Sequence, residues 1–250
     1  MNLHEFLIVC PLVFLAGFVD AIAGGGGLIS LPAYMFAGIP VHHAIATNKL
    51  SSATGTAVST WHLVKSKCVD ICLVPGTVAC AFVGSIAGAN LALIISDKVL
   101  KTVLVFVLPV VAFCVLRDKD LKPVIPEGFT RKKQYLIMAA CSFVIGIYDG
   151  FYGPGTGTFL IIAFTVFAHL NIQTANAQAK VINLTTNLTA LAIFLYNGQG
   201  VLSLGLASAA CNMLGGYIGA GLVMKNGSKI ARPSIVFVLF LLALKALGVY

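Results

Sequence analysis

Two lysines lie inside apolar segments, and each begins a row of polar residues at helical spacing. The two rows are Lys49, Ser52 and Thr56, and Lys180, Asn183 and Asn187. Offsets of three and seven place three side chains on one side of a helix. A lysine costs about 2.5–3.5 kcal/mol at the centre of a bilayer, so it normally faces a cavity or a partner. The rows therefore predict a positively charged polar surface within a membrane, with snorkelling of the lysines to the interface as the alternative.

Two acids accompany the lysines, and each precedes a glycine-rich break by four residues. Asp20 precedes Gly24–Gly27, and Asp149 precedes Gly153–Gly157. The acids could form ion pairs with the lysines or bind a coupling proton, and the sequence leaves both interpretations open.

The glycine-rich breaks are candidate sites because non-helical backbone survives at membrane depth only when it is buried in protein or lines a wet cavity. A helix that starts after a break offers free N–H groups and a positive dipole end to an anion. Simple surface turns are the alternative. The residues predicted to bind the anion are Gly25, Gly26, Gly27, Thr47, Asn48, Lys49, Ser52, Gly155, Thr156, Gly157, Gln178, Lys180, Asn183 and Asn187.

The composition places these residues in a membrane protein. Of 250 residues, 59% are hydrophobic and only 10% are charged, whereas about 25% of a soluble domain is charged. Apolar stretches near the length of a bilayer span recur along the chain, which predicts an all-α polytopic protein of the cell membrane in contact with the lipid bilayer. The formal charge of +8 is divided among short basic patches between apolar segments, so we predict no nucleic-acid partner.

The sequence also repeats itself. An offset of 129 residues aligns Asp20 and the glycine-rich break after it with Asp149 and its break. An offset of 131 residues then aligns Lys49 with Lys180. We therefore predict a transmembrane repeat over residues 1–116, a cytoplasmic linker over 117–133 and a second transmembrane repeat over 134–250. Internal repeats are common in secondary transporters.

Each repeat is predicted to contain a hairpin, made of a glycine-broken helix and a short helix, followed by three long helices. The segments are 4–23, 28–38, 41–64, 70–94 and 98–116 in the first half, and 134–152, 158–170, 174–196, 201–224 and 229–248 in the second. If each hairpin re-enters the membrane, each half crosses an odd number of times. The second half is then inverted, and eleven Lys and Arg residues fall on one side. A parallel arrangement gives a weaker charge bias.

The motifs at these positions resemble the TauE/SafE sulfite exporter family. The similar stretches are Ala16-Gly-Phe-Val-Asp-Ala-Ile-Ala-Gly-Gly-Gly-Gly27, Leu31-Pro32, Ala46-Thr-Asn-Lys-Leu-Ser51, Gly146-Ile-Tyr-Asp-Gly-Phe-Tyr-Gly-Pro-Gly-Thr-Gly157 and Lys180-Val-Ile-Asn183. The resemblance covers nearly the whole chain. It implies transport of sulfite, sulfonates or related anions across the cytoplasmic membrane, often outward. It also implies about eight spans, which differs from the hairpin arrangement.

The leading hypothesis is a secondary transporter that exports a small inorganic or organosulfur anion, driven by an ion gradient or the membrane potential. No cofactor, metal site or catalytic residue is predicted, and the sequence leaves a homodimer open. An intramembrane enzyme is disfavoured because Ser51 and Ser52 have no histidine nearby on the same helical face. A cation- or proton-coupled transporter of another small solute that uses Asp20 and Asp149 is the alternative function.

The inverted arrangement predicts on which side of the membrane three residues lie. Cysteines introduced singly at Lys65 and Lys225, in a background without native cysteines, should both react with an impermeant thiol reagent from the cytoplasmic side. A cysteine at Gly198 should react from the other side. Reaction of the Lys65 and Lys225 positions from opposite sides would exclude the inverted arrangement.

Overall fold

The computed structural model describes residues 3–96 and 128–226, together with Val99 and Pro126. These residues form eight α-helices and one short 3₁₀ helix, Ile71–Leu73. The α-helices are α1 Leu3–Ala23, α2 Gly27–Phe36, α3 Val41–Lys65, α4 Val74–Ile94, α5 Arg131–Phe151, α6 Thr156–Val166, α7 Ile172–Tyr196 and α8 Leu202–Asn226. The predicted segments 98–116 (except Val99) and 229–248, and the linker up to residue 125, lie outside the described residues.

Most helix bounds match the predicted segments to within a few residues, but α5 begins earlier than expected. The Thr130 side chain accepts a hydrogen bond from the Lys133 backbone N–H at 3.3 Å. Thr130 therefore caps the helix, and residues 131–133 form its first turn. The sequence assigned these three residues to the end of the linker because their basic composition concealed the start of a helix, and the linker itself stays a prediction.

The helix lengths fit a chain that crosses a membrane several times. Helices α1, α4, α5 and α7 are long and apolar enough to span a bilayer. Helices α2 and α6 have 10 and 11 residues, which corresponds to about 15–17 Å at 1.5 Å per residue, too short to cross. Large apolar side chains such as Leu7, Leu136 and Leu214 are exposed on the outside of the bundle, where lipid would cover them.

Glycines bring α4 and α5 into close contact. A Cβ atom at Gly84 would collide with the Phe143 carbonyl, and one at Gly88 would collide with the Ile147 carbonyl. Small residues permit this backbone approach. Because both contacts advance in the same direction along the two helices, α4 and α5 are parallel.

The same arrangement joins α1 and α8. Gly215 faces the Phe14 carbonyl, and Gly219 faces the Phe18 carbonyl. These contacts also advance together, so α1 and α8 are parallel. The two glycines lie 131 residues after Gly84 and Gly88, which means that corresponding glycines of the two halves make corresponding contacts.

The remaining contacts fix the helix directions. The Thr54 and Ser59 hydroxyls, on α3, face backbone carbonyls of α8 at Ala209 and Gly216 in the same order, so these helices are parallel. The start of α3 lies near the end of α4, where the His42 ring contacts the Ala92 carbonyl at 3.0 Å. Since a short connection joins α3 to α4, these two helices are antiparallel.

Helix α7 runs with α4. Gln178, near the start of α7, contacts the Asp70 carbonyl just before α4, and Ser85 further along α4 contacts Thr186. Helices α1, α3 and α8 therefore point one way, and α4, α5 and α7 point the other way. Corresponding helices of the two halves run in opposite directions, as an inverted repeat requires. The repeat itself stays a prediction, which this arrangement favours.

The glycine contacts generate a stability prediction. Gly84→Ala should lower the free energy of unfolding by about 1–3 kcal/mol, because the added methyl group overpacks the contact between α4 and α5. Gly221→Ala is the matched control, since no described atom lies within 4 Å of its added Cβ. It should leave stability unchanged or raise it by up to about 1 kcal/mol. Thermal unfolding of both purified variants in detergent checks this, and equal melting temperatures would contradict it.

Candidate functional site

The two glycine-rich breaks meet at one place inside the bundle. The Thr158 backbone N–H donates a hydrogen bond to the Gly24 carbonyl at 3.2 Å. A side chain at Gly24 would collide with the Gly157 backbone, and one at Gly157 would collide with the Gly24 backbone. The absence of side chains at these two positions therefore lets a break from each half touch the other.

A small polar cavity lies beside this contact. It is lined by Asp20, Gly24, Gly27, Asn48, Lys49, Ser52, Asp149, Gly153, Asn183 and Asn187. Its volume of about 20 Å³ has room for one or two water molecules. Both halves contribute to the wall, so the cavity combines an ammonium group, carboxylates and amides from separate parts of the chain.

The first ion pair crosses the cavity between the halves. Lys49 on α3 contacts Asp149 Oδ1 on α5, with 2.9 Å between nitrogen and oxygen. Both side chains are buried, at 1% and 2% exposure. A buried charge needs a partner of opposite sign, and each residue supplies the partner of the other.

The second ion pair also joins the two halves, but here the acid comes from the first half and the lysine from the second. Lys180 on α7 contacts Asp20 Oδ2 on α1 at 2.6 Å, and the lysine side chain is fully buried. The lysine also donates to the Asp20 backbone carbonyl. Each lysine is thus paired with the acid of the other half, and the structure favours ion pairing between these residues, which the sequence left open.

The acids also occupy the helix starts that follow the breaks. Asp20 Oδ1 accepts a hydrogen bond from the Gly26 N–H at 3.2 Å, at the beginning of α2. Asp149 Oδ1 accepts one from the Thr156 hydroxyl at 2.7 Å, at the beginning of α6. The helix starts predicted to receive a substrate anion are therefore held by the protein's own carboxylates.

Amide side chains complete the cavity wall. Asn187 donates to Asn183 Oδ1 at 2.6 Å, and Ser52 donates to Asn48 Oδ1 at 3.4 Å. Asn48 Oδ1 also accepts from Ser30 at 2.5 Å. Ser30 was missed at the sequence level because a lone serine in an apolar helix carries no distinguishing signal.

Several residues predicted to bind the anion are not among those that line the cavity. They are Gly25, Gly26, Gly155, Thr156, Gly157 and Lys180, which shape the breaks or hold the lining acids. Conversely, Gly24 and Gly153 line the cavity, and although the breaks were predicted as candidate sites, these two glycines were not among the individual residues predicted to bind the anion. The position of each at the start of its break, four residues after the acid, was the signal that could have identified them.

Thr47 and Gln178 lie elsewhere, and their placement does not match the expectation that they extend the anion shell. The Thr47 hydroxyl accepts a hydrogen bond from the Val201 N–H at 2.9 Å, and the Gln178 amide donates to the Asp70 carbonyl at 2.7 Å. Each therefore fastens the loop that precedes a helix of the opposite half. The sequence showed that both were polar and inside a membrane segment, but not which side of the helix met the cavity.

Comparison with known proteins gives consistent similarities. The family model described as sulfite exporter TauE/SafE matches residues 9–246. The "Probable membrane transporter protein YfcA" of Escherichia coli strain K12 is 35% identical over 238 residues, which cover 93% of this chain and 86% of that protein.

Two further relatives have similar identity. A "Probable membrane transporter protein" of Haemophilus influenzae is 34% identical over 233 residues, covering 93% of this chain and 90% of the relative. The "Probable membrane transporter protein ORF9" of a Sinorhizobium species is 34% identical over 247 residues, covering 99% and 93%. No solved structure gives a significant match.

The second break offers a matched pair of substitutions. Gly153 and Gly155 both have positive φ, at +94° and +82°, so alanine at either should cost about 1–2 kcal/mol of backbone strain. A Cβ at Gly153 would lie 2.6 Å from Asp149 Oδ1 and 2.8 Å from Lys49 Nζ, whereas the nearest atom at Gly155 is 3.5 Å away. We expect Gly153→Ala to melt at a clearly lower temperature than Gly155→Ala, because it also displaces the ion pair. Equal melting temperatures would show that the break does not support the pair.

Proposed function

Because the chain belongs to the TauE/SafE sulfite exporter family, we propose that it exports small sulfur-containing anions, such as sulfite or organosulfonates, across the cell membrane. The family comparison establishes the broader class, since the matching proteins are membrane transporters and not enzymes. The chain is therefore a multi-pass membrane transporter. The choice of substrate and the outward direction are the parts that we propose.

The observation that carries the proposal is the cavity between the two halves. It contains the buried Lys49 ammonium group, and the cavity-lining Asp20 holds a second buried ammonium group, that of Lys180. Asn48, Ser52, Asn183 and Asn187 add hydrogen-bonding groups to its wall. Ammonium and amide donors together suit an oxyanion, which accepts several hydrogen bonds around a single central atom.

The alternative was a cation- or proton-coupled transporter of another small solute that uses Asp20 and Asp149, and the crossed ion pairs argue against its cation-coupled form. Asp20 and Asp149 each already contact a buried lysine. A cation placed between them would add positive charge to a region where both negative charges are balanced. A substrate anion, by contrast, can take the place of a carboxylate beside a lysine.

The size of the cavity indicates how the anion would be admitted. A volume of about 20 Å³ is too small for a four-atom oxyanion, since one water needs about 10–15 Å³ by the same measure. Binding must therefore move the cavity walls apart. Because the walls come from different halves, an anion that separates Lys49 from Asp149 would also move one half against the other. This links binding to the alternation of access between the two membrane sides.

The proposed transport unit is the pair of halves, residues 1–116 and 134–250, acting as inverted repeats. The opposite directions of corresponding helices and the matched glycine contacts support this arrangement. Secondary transporters of several folds bind their substrates between such repeats, close to broken helices.

The proposal predicts the effect of removing each ion pair. Removing one partner alone would leave an uncompensated buried charge, which costs about 3–5 kcal/mol. Neutral double variants, Lys49→Gln with Asp149→Asn and Lys180→Gln with Asp20→Asn, avoid that cost. Both should remain folded in detergent and lose at least about tenfold in anion affinity, or about 1.4 kcal/mol of binding free energy.

The measurement is flux into and out of proteoliposomes with sulfite, sulfoacetate, taurine and sulfate, alongside binding by the purified protein. Lys65→Gln is the control, because Lys65 is exposed at the end of α3 and should transport as the parent does. If both double variants bind and transport sulfite or a sulfonate as well as the parent, the lysines are structural. If the parent carries none of the four, the substrate class is wrong.

A further inference from the structure

The two ion pairs have the same composition, but the carboxylate oxygens of the two acids do not have the same number of hydrogen-bond partners. In the pair of Asp20 and Lys180, both carboxylate oxygens have partners, since Oδ1 accepts from Gly26 and Oδ2 from the lysine. In the pair of Asp149 and Lys49, both hydrogen-bonding contacts converge on Oδ1. Asp149 Oδ2 is buried and has no hydrogen-bond partner among the described residues.

An unpartnered carboxylate oxygen in a buried site has a specific chemical consequence. A buried acceptor without a partner is costly while the group is ionised. Protonation of that oxygen removes its charge and converts it to an O–H donor. Asp149 lines the cavity, so a donor on Oδ2 would be available to a ligand there.

The charge balance in the cavity also favours protonation of Asp149 when an anion is bound. Lys49 and Lys180 contribute two positive charges, and Asp20 and Asp149 contribute two negative charges. A bound monovalent anion would leave one negative charge in excess in a region where unbalanced charge is expensive. One proton on Asp149 restores neutrality and leaves the Lys49 ammonium group free to pair with the anion.

Among the described residues, the other charged groups near Asp149 are already paired, since Asp20, the second carboxylate of the cavity wall, is engaged by Lys180. Of the helices packed against α5, α4 and α6 have no charged residue in their sequences. The only charged residue of α7, Lys180, is engaged by Asp20. Lys49 on α3 is the partner itself, and the titratable neighbours along the chain are Tyr148 and Tyr152.

From the orphaned Oδ2 and the charge balance we infer that Asp149 is the proton-binding site that couples transport to pH. The inference rests on the proposed anion transport and adds its coupling ion. The proton enters from the aqueous side that the cavity faces, binds Oδ2 as the anion displaces the carboxylate from Lys49, and leaves with the anion on the other side. Asp20 serves as the structural partner that fastens the first break to α7.

This coupling makes the transport of a monovalent anion electroneutral. The membrane potential then contributes nothing to the driving force, and the gradients of the anion and of the proton decide the direction. Export proceeds when the anion accumulates inside to a concentration that outweighs the inward proton gradient.

Proton uptake on anion binding tests the inference directly. Methanesulfonate is the probe because its own charge does not change near neutral pH. Calorimetric titration in buffers of different ionisation enthalpy should show uptake of about one proton per bound anion in the parent. Titrated at concentrations that saturate the weakened site, uptake should be absent in the neutral double variant Lys49→Gln with Asp149→Asn. It should be retained in the neutral double variant Lys180→Gln with Asp20→Asn, in which the remaining cavity charges still balance. Asp70→Asn, at an exposed ion pair with Arg131 outside the cavity, should behave as the parent does.

A second measurement needs no ligand, so it tests the inference even if methanesulfonate does not bind. Infrared difference spectra recorded between acidic and neutral pH should contain a carboxylic acid band in the parent and in Lys180→Gln with Asp20→Asn that is missing in Lys49→Gln with Asp149→Asn. Anion binding by the parent without proton uptake would overturn the inference while the proposed function stands. An infrared band that survives in Lys49→Gln with Asp149→Asn would overturn it as well. Transport of none of the sulfur anions would instead overturn the proposed function.

Discussion

The structure depends on the need to neutralise two lysines buried inside a membrane protein. Lys49 and Lys180 have almost no exposed surface, and an ammonium group there is tolerable only beside a carboxylate. Each carboxylate comes from the other half of the chain. The described part of the protein is consequently held together at its centre by two crossed contacts, and the halves cannot separate without exposing charge.

The glycine pattern makes these contacts geometrically available. Close packing of α4 on α5 and of α1 on α8 places a helix of each half directly against the other half. The contact between Gly24 and Gly157 then brings the two breaks together. Side chains at these positions would hold the backbones apart, and the acids at the ends of α1 and α5 could not reach the lysines on α7 and α3.

The two breaks differ in detail, and that difference gives similar residues unequal environments. The first is a run of glycines, and Gly26 donates its N–H to Asp20. The second contains Pro154 and Thr156, and the threonine hydroxyl shares Asp149 Oδ1 with Lys49. Asp149 Oδ2 has no hydrogen-bond partner among the described residues. We regard this inequality as the physical basis for one acid to be structural and the other to carry the coupling proton.

The sequence by itself determined the membrane class, the family and the presence of short helices after two glycine-rich breaks, because hydrophobicity and glycine positions are local properties. It also placed Lys49, Ser52, Asn183 and Asn187 on polar helical faces, and these four residues line the cavity. It could not show which acid pairs with which lysine, or that Thr47 and Gln178 fasten loops of the opposite half. Those features depend on contacts between residues more than a hundred positions apart. Only the tertiary packing of one half on the other decides them, since a helical face specifies a direction but not the group that it meets.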